Sequence, residues 1–326
     1  MDTVQEFALH SLNEELPARI DLFIASASFE SRSLQIAKNL DKDRIESICI
    51  ASNANHSSYN GENRDALIQL FEKAPPQMAT LDLDSDDPIK TADAFLTISR
   101  DFVHSTAPVI VVDVTAFTRE SLAILLAVLR LKLPPDTQVT FLYNPATSYG
   151  DPNKLWLSKG LRKVRSILGF PGEIIPSRPN HLIVLPGYEL ERASSLIASY
   201  EPNSLSIGMV PKEANFATDF FKQQTEFVRR LQQSYSCRRI EIFEFSARDP
   251  IRTRDSILVA AKAYPSSNKI VIPLNSKPSV IGACLACFKR EDLQMGYAQP
   301  KRYNTLSYSR PSDRVCKMTI ALWSKS

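Results

Sequence analysis

Two short polar segments combine carboxylates, hydroxyls and arginines in patterns that fit anion binding or acid–base chemistry. The first, SASFESR at residues 26–32, directly follows an apolar run. Its serines leave the backbone N–H groups of the next helix start accessible to a phosphate, and Arg32 would clamp an anion. Glu30 would act as a base or bind a ribose hydroxyl. A purely local explanation also exists, because Ser28 would cap the helix and Glu30 would stabilise its first turn.

The second segment, DVTAFTRE at residues 113–120, ends the most apolar run of the first half. Asp113 interrupts that run, and a buried carboxylate needs a partner, which Arg32 or Arg119 would supply. The alternative is structural: Thr118 caps a helix, and Arg119 forms a surface pair with Glu120.

The other candidate residues follow later strands. The polar segment 144–151 would form either a lid or a simple connection. In the second half, a Glu–Arg pair recurs at residues 189–192, but Pro273 occupies the position that corresponds to Asp113. No residue is assigned a catalytic role. The predicted ligand-binding set is Ser26, Ser28, Glu30, Arg32, Asp113, Thr115, Thr118, Arg119, Asn144, Glu189 and Arg192.

No motif predicts a cofactor or a metal. The glycine-rich dinucleotide fingerprint is absent, so a nicotinamide cofactor is not expected. Cys284 and Cys287 have metal-ligand spacing but lie in an apolar helix without a second ligand pair, and the four histidines lack zinc spacing.

The elements that must position these residues alternate between short apolar strands and amphipathic helices. Such alternation predicts an α/β fold with a mainly parallel sheet, whose ligands bind outside the carboxyl ends of the strands. In the first half, the predicted strands are 20–27, 45–51, 78–83, 108–114 and 137–143, and the predicted helices are 30–41, 61–73, 87–103 and 118–131.

A segment rich in proline and glycine around residues 169–187 marks the junction between two Rossmann-like halves, assigned as domains 1–170 and 171–326. The alternation then resumes, and Arg310–Asp313 form the turn of a predicted C-terminal β-hairpin between 303–308 and 314–323. In the second half, the predicted strands are 181–185, 204–210, 239–245, 268–274 and 292–298, and the predicted helices are 189–199, 214–233, 250–263 and 278–288.

The two halves match in element order and partly in residues, which predicts an internal duplication. Residues 20–32 match 181–192, each with a strand, a bend, an aromatic residue, Glu and Arg. Residues 110–129 match 270–289, and 141–145 match 295–300. The alternative is that any two βα units share this alternation.

Composition describes an ordinary globular protein of 326 residues, with 44% hydrophobic and 23% charged residues and a net charge of +3. Five scattered cysteines indicate reduced thiols rather than disulfides. The acidic N-terminus does not have the pattern of a signal peptide, and no apolar run reaches the length of a membrane span. We therefore expect a cytoplasmic protein without membrane contact. The basic run from Lys154 to Arg165 and five tail cations would bind an anion or nucleic acid, or form solvated strand faces. The tail cations are Lys301, Arg302, Arg310, Arg314 and Lys317.

The small-residue turn after the first strand and the Thr/Arg turn after a later one resemble CARF-type domains, the CRISPR-associated Rossmann folds. The likeness covers most of the chain. The sequence departs from the family in two respects. It lacks a Gly-Gly turn at Thr115-Ala116, and no effector nuclease motif follows either half. The residues that carry the likeness are Ser26, Ser28, Thr115, Thr118 and Arg119.

The resemblance implies binding of a nucleotide or cyclic oligonucleotide in a prokaryotic immune context. The leading hypothesis is therefore a nucleotide- or phosphate-binding regulatory protein, a subunit of an antiviral defence assembly. One alternative is an enzyme that hydrolyses a nucleoside, nucleotide or phosphodiester bond, with Glu30 or Asp113 as acid or base. A third is a structural subunit that binds a protein partner or a second copy of the chain.

Overall fold

The fold was determined as a computed structural model that describes residues 2–72, 77–99, 107–135, 137–149, 157–216, 220–235, 239–305 and 308–323. The strands are β1 (Thr3–Ala8), β2 (Ile20–Ala27), β3 (Ile45–Asn53), β4 (Gln77–Leu83), β5 (Ile110–Asp113), β6 (Gln138–Tyr143), β7 (Ala146–Tyr149), β8 (Ser158–Pro171), β9 (Asn180–Leu185), β10 (Ser204–Met209), β11 (Arg239–Glu244), β12 (Asn268–Pro273), β13 (Leu293–Tyr303), β14 (Ser309–Pro311) and β15 (Arg314–Ala321). The helices are α1 (Leu12–Glu15), α2 (Gln35–Asn39), α3 (Ser57–Phe71), α4 (Pro88–Ser99), α5 (Arg119–Lys132), α6 (Leu190–Tyr200), α7 (Phe220–Ser234), α8 (Pro250–Lys262) and α9 (Lys277–Lys289).

The first unit comprises residues 1–149 and 305–326. Its seven-stranded sheet has the order β1-β15-β6-β5-β2-β3-β4, and the five strands from β6 to β4 are parallel. β15 pairs antiparallel with both β6 and β1. Apolar side chains from β2 and β3 pack with those of the helices that follow them, which forms the core of this unit.

The second unit comprises residues 150–304 and has a six-stranded sheet in the order β11-β10-β9-β12-β13-β8. The first five strands are parallel, and β8 pairs antiparallel with β13. A second core lies between this sheet and α6 and α7.

The parallel strands of both units have the same order. Numbered within each unit, they lie as 3-2-1-4-5, which is the arrangement of a Rossmann-like sheet. β2 and β9 occupy the first position, β5 and β12 the fourth, and β6 and β13 the fifth. Each of the three segment pairs matched in the sequence therefore occupies equivalent sheet positions, and descent from a duplicated unit remains a prediction.

The bounds of the units differ from the predicted domains 1–170 and 171–326. β8, which was assigned to the first half, pairs with β13 and belongs to the second unit. β15, which was assigned to the second half, pairs with β6 and closes the first sheet. Each unit thus has an antiparallel strand beside its fifth parallel strand, and backbone hydrogen bonding decides this membership.

The C-terminal strands are antiparallel, but their partners come from much earlier in the chain. β14 pairs with β7, and β15 pairs with β1 and β6, so the turn at Arg310–Asp313 joins two strands with different partners. The predicted helix 30–41 is shorter in the structure, where a 3-10 turn at Ser31–Leu34 leads into α2. In the parts of the chain that the structure describes, no helix has the length and apolarity needed to cross a membrane.

Candidate functional site

The loops after β2 and β5 meet at the carboxyl edge of the first sheet. The two strands are parallel neighbours, with Ala25 opposite Asp113. The chain order reverses between them, because β3 and β4 lie beyond β2 whereas β6 lies beyond β5. Ligands of open α/β sheets bind in the crevice at such a reversal point. We refer to this edge as the switch point.

A buried ion pair lies beside the switch point. Arg32 is 2% exposed, and its Nη2 lies 2.5 Å from Oε2 of Glu30. The same carboxylate oxygen accepts a 2.6 Å hydrogen bond from Ser309, and Arg32 Nη1 donates to the carbonyl oxygen of Asn144 at 2.9 Å. The rings of Tyr143 and Tyr149 face the guanidinium, with centroids 5.9 and 5.6 Å from its carbon. These internal contacts hold Arg32 away from solvent, and its role as an anion clamp stays a prediction.

Asp113 lies at the end of β5, 2% exposed, and its carboxylate accepts a hydrogen bond from the backbone N–H of Thr115 at 3.0 Å. The hydroxyl of Thr115 accepts from the backbone N–H of Asn144 at 3.0 Å. Because Arg32 donates to the carbonyl of that same Asn144, one hydrogen-bonded chain connects the ion pair to the carboxyl of Asp113.

Burial raises the pKa of Asp113 from 3.8 to about 7, since desolvation penalises the charged carboxylate. Hydrogen bonds from Thr115 and the charge of Arg32 act in the opposite direction and are weaker. The predicted direct ion pair with Arg32 or Arg119 is not among the ion pairs of the described residues. The side chain is thus a buried carboxyl that changes its protonation near neutral pH.

The rim of the switch point is formed by partly exposed groups. Phe29 on one side and Thr118 and Arg119 at the start of α5 on the other are half-buried, whereas Ser28, which precedes Phe29, is buried. Thr118 caps the helix, because its hydroxyl accepts from the backbone N–H of Ser121 at 3.0 Å. The positive end of a fourteen-residue helix therefore opens beside Asp113.

The remaining first-half candidates have structural contacts. Ser26 lies within β2, buried and opposite Ala51. The carbonyl of Ser28 accepts a 2.6 Å hydrogen bond from Asn63. The side chain of Asn144 donates to the carbonyls of Ser312 and Arg314, which ties the β6 end to the returning chain.

The second unit repeats the ion pair with equivalent parts. Glu189 Oε2 lies 2.8 Å from Arg192 Nη1, and Arg192 also donates to the carbonyl of Ala298 on the fifth strand. Ser158 donates to the other carboxylate oxygen of Glu189, whereas Ser309 donates to the oxygen of Glu30 that Arg32 also contacts. The ring of Tyr297 lies 5.8 Å from the guanidinium of Arg192. The recurring Glu–Arg pair is therefore a buried ion pair in both units, and its predicted part in ligand binding stays a prediction.

The switch point of the second unit is filled by its own chain. Asn275 donates from its side chain to the carbonyl of Pro186 at 2.6 Å, and a Cβ placed on Gly187 would collide with the carbonyl of Leu274. Pro273 occupies the position of Asp113, so no carboxylate lies there. The two units share topology but differ in chemistry at the corresponding edge.

Sequence reasoning missed Ser309, which lies 279 residues from its partner Glu30, and the tyrosines around Arg32. A cavity of about 770 Å³ lies at the opposite edge of the first sheet, lined by residues such as Glu15, Thr137 and Lys317, away from the candidate site. Within the described ranges, no group of three His, Cys, Asp or Glu side chains could hold a metal ion.

No protein-family model matches the chain, and no curated protein matches its sequence. Solved structures do match in fold. One is a Type III CRISPR defence DNA nuclease activated by cyclic oligoadenylate, with a TM-score of 0.50 and 8% identity over 82% of this chain. The match spans 64% of the nuclease chain, so this protein covers less than two thirds of that length. The predicted resemblance to CRISPR-associated Rossmann folds is thereby confirmed at the level of the fold.

A second structure is the N-terminal domain of a bacterial malonyl-CoA reductase with NADP. It has a TM-score of 0.28 and 9% identity, over 84% of this chain and 79% of that one. This likeness is too distant to inform the fold or the site.

Proposed function

We propose that the protein is a regulatory sensor that binds a nucleotide or another phosphate-bearing small molecule at the switch point of its first unit. The observation that carries the proposal is the meeting of three groups there. They are the loop after β2, the N-terminus of α5 and a buried carboxyl with a pKa near 7. The equivalent edge of the second unit lacks the carboxyl and is filled by Asn275.

Each rim residue has a distinct role in this proposal. Arg119 and the N-terminus of α5 attract a phosphate, because a helix N-terminus carries partial positive charge. Ser28 offers a hydroxyl, and Phe29 offers an aromatic face for a base. Asp113 donates a hydrogen bond when protonated and accepts one when ionised. Glu30 and Arg32 act as positioning residues, which hold Asn144 and Thr115 in place through the hydrogen-bonded chain described above.

The defence setting comes from the fold neighbour, a CRISPR nuclease that cyclic oligoadenylate activates. A short adenylate combines repeated phosphates with stacking bases, which suits a rim with a helix N-terminus and an aromatic residue. We therefore take cyclic oligoadenylate and mononucleotides as the first probes, and a subunit of an antiviral assembly as the setting.

The raised pKa of Asp113 favours a second candidate function, hydrolysis of a nucleoside, nucleotide or phosphodiester bond. A carboxyl that titrates near neutral pH serves as a general acid or base. This enzyme would need Asp113 to reach a substrate in an enclosed pocket, and the 2% exposure of the side chain restricts that contact as it restricts contact with a sensed ligand. Release of product from the same probes, followed by chromatography, separates catalysis from binding.

The test compares two residues that begin equivalent helices, Arg119 of α5 and Lys277 of α9. ATP and cyclic oligoadenylates should raise the melting temperature of the natural protein, because a ligand at about 100 times its dissociation constant stabilises by about 2.7 kcal/mol. Arg119→Ala should weaken calorimetric binding at least tenfold, whereas Lys277→Ala should leave it unchanged. Absence of binding to any probe, or equal losses in both variants, would contradict the proposal. Mass spectrometry of co-purifying small molecules provides an independent check.

A further inference from the structure

The end of the second sheet that carries β8 continues as a two-stranded antiparallel ribbon. β13 pairs with β12 only over Leu293–Met295, whereas its pairing with β8 extends to Tyr303. The part of β13 from residue 296 onward and the part of β8 up to residue 166 therefore pair with each other beyond the parallel strands. We call these two segments, 158–166 and 296–303, the basic ribbon.

The basic ribbon carries positive charge of a single sign. No Asp or Glu occurs in β8 or β13 along their whole lengths. The cations of the ribbon are Lys159, Arg162, Lys163, Arg165, Lys301 and Arg302. These six charges exceed the net charge of +3 of the entire chain, so the remaining residues sum to −3. Such an asymmetric distribution orients a polyanion toward one region of the surface.

The packing of the ribbon exposes its cations. Leu161 and Val164 pack against the core of the second unit, whereas Arg162, Lys163 and Lys301 are exposed. Lys154, at the start of the basic run, lies outside the described residues.

Protection of a sheet edge is the ordinary reason for charge on an outer strand. The opposite edge of the same sheet, β11, shows how this protein protects an edge with mixed charge. There Arg239 pairs with Glu241, and Glu244 follows in the same strand. The two strands of the ribbon contain no Asp or Glu, so their charge has a single sign, unlike the mixed charge of β11.

The tail cations do not all belong to this surface. Arg314 lies 3.8 Å from Glu6, and Lys317 pairs with Glu15, both within the first unit. Only Lys301 and Arg302 join the ribbon. The ribbon therefore combines part of the basic run with two of the tail cations.

We propose that the basic ribbon binds the phosphate backbone of a nucleic acid, without reading its sequence. Cations distributed along two paired strands can neutralise several phosphates of a duplex, each strand of which carries one charge per about 3.4 Å of helix axis. A two-stranded β-ribbon also fits the major groove of B-DNA, which is about 12 Å wide. The proposal is independent of the ligand at the switch point, which lies in the other unit.

The test measures binding of the full chain to a fluorescent 20-base-pair duplex and to a single strand by anisotropy, across a range of salt concentrations. The ribbon variant carries Arg162→Gln, Lys163→Gln, Lys301→Gln and Arg302→Gln. The control variant removes four other exposed cations of the same unit, by Lys222→Gln, Arg229→Gln, Arg230→Gln and Lys262→Gln.

The ribbon variant should bind at least tenfold more weakly at low salt. Its slope of log affinity against log salt should decrease by about 3 to 4 for duplex DNA, at about 0.9 per lost phosphate contact. The control variant, with the same net charge, should stay within twofold of the natural protein. Circular dichroism verifies folding, and Arg162→Lys with Arg302→Lys should retain binding because it keeps the charge.

Three results would overturn the proposal: no binding of the natural protein to either nucleic acid at low salt, equal weakening in both quadruple variants, or binding to phosphatidylserine vesicles alone. If the ribbon variant does not fold, the pair Lys301→Gln and Arg302→Gln at the end of β13 replaces it, with about half the change in slope.

Discussion

The buried carboxyl of Asp113 should make the first unit less stable as the pH rises. In the unfolded chain the carboxyl has its ordinary pKa of 3.8, and in the folded protein burial raises the pKa to about 7. Between these values the folded state holds a proton that the unfolded state has released. The associated stabilisation is therefore fully present below pH 3.8 and is lost as the pH rises through about 7.

The magnitude follows from the pKa shift. A change from 3.8 to about 7 corresponds to about 4 kcal/mol, at 1.36 kcal/mol per unit. Asp113→Asn keeps an oxygen for the N–H of Thr115 and cannot ionise, but its amide N–H groups need acceptors, which costs about 1–2 kcal/mol. We expect the variant to be less stable than the natural protein by that amount at pH 4, and more stable by about 2–3 kcal/mol at pH 8.

Urea unfolding followed by circular dichroism at pH 4 and pH 8 measures both differences. Asp93→Asn, which changes an exposed carboxylate on α4 of the same unit, is the matched control and should follow the natural protein at both pH values. An Asp113→Asn variant that is destabilised equally at pH 4 and pH 8 would refute the reasoning, because it would identify Asp113 as a permanently ionised partner of an arginine. Nucleotide binding by the same variant should fall even where its stability rises.

Further predictions concern the two buried ion pairs, the filled edge of the second unit and its buried histidine. Glu30→Gln and Glu189→Gln should each destabilise by about 3–5 kcal/mol, since each leaves a buried arginine without its carboxylate; losses under 1 kcal/mol in urea unfolding would disprove this. Gly187→Ala should lower the melting temperature by several degrees because of the collision with Leu274, and an unchanged melt would contradict the close approach. Burial lowers the pKa of His181 from 6.5 to about 3, so the contribution of the neutral imidazole to the free energy of unfolding should be lost as the pH falls through that window. A His181→Phe variant whose free energy of unfolding changes with pH as that of the natural protein does, between pH 6.5 and 4, would oppose this.

The strands of the sheet core could be predicted because each is a short, almost wholly apolar run between helix patterns. Ile20–Ala27 has the bounds expected from the sequence, and Asn180–Leu185 differs by one residue. β8 could not be assigned to its unit in this way, since its polar, irregular sequence follows the first unit and its partner β13 lies more than 100 residues later. Pairings over such distances depend on tertiary packing, and local periodicity does not record them.

The candidate site shows the same limit. The sequence placed Glu30, Arg32 and Asp113 at one sheet edge, because parallel strands end together, and the structure brings them there. The sequence did not reveal that Glu30 and Arg32 form an ion pair with each other, because the pair is completed by residues far along the chain. Ser309, which donates to Glu30, lies 279 residues away from it, and Asn144, whose carbonyl accepts from Arg32, lies 112 residues away. Burial of both residues therefore follows from the closed fold and could not be inferred from their types.

The crossing of the chain between units has a consequence for how the protein emerges from the ribosome. β6 ends at Tyr143, but its antiparallel neighbour β15 begins only at Arg314, after the 170 residues 144–313. At about 5–20 residues per second, translation of that stretch takes roughly 10–30 s. The flank of β6 that β15 will cover therefore lacks its partner throughout this interval, whereas the second unit has all its strands once Tyr303 is free. The inserted unit is expected to finish folding first, and the open flank of β6 in the nascent first unit is exposed to pairing with another chain until β15 emerges, so slower elongation would lengthen that exposure.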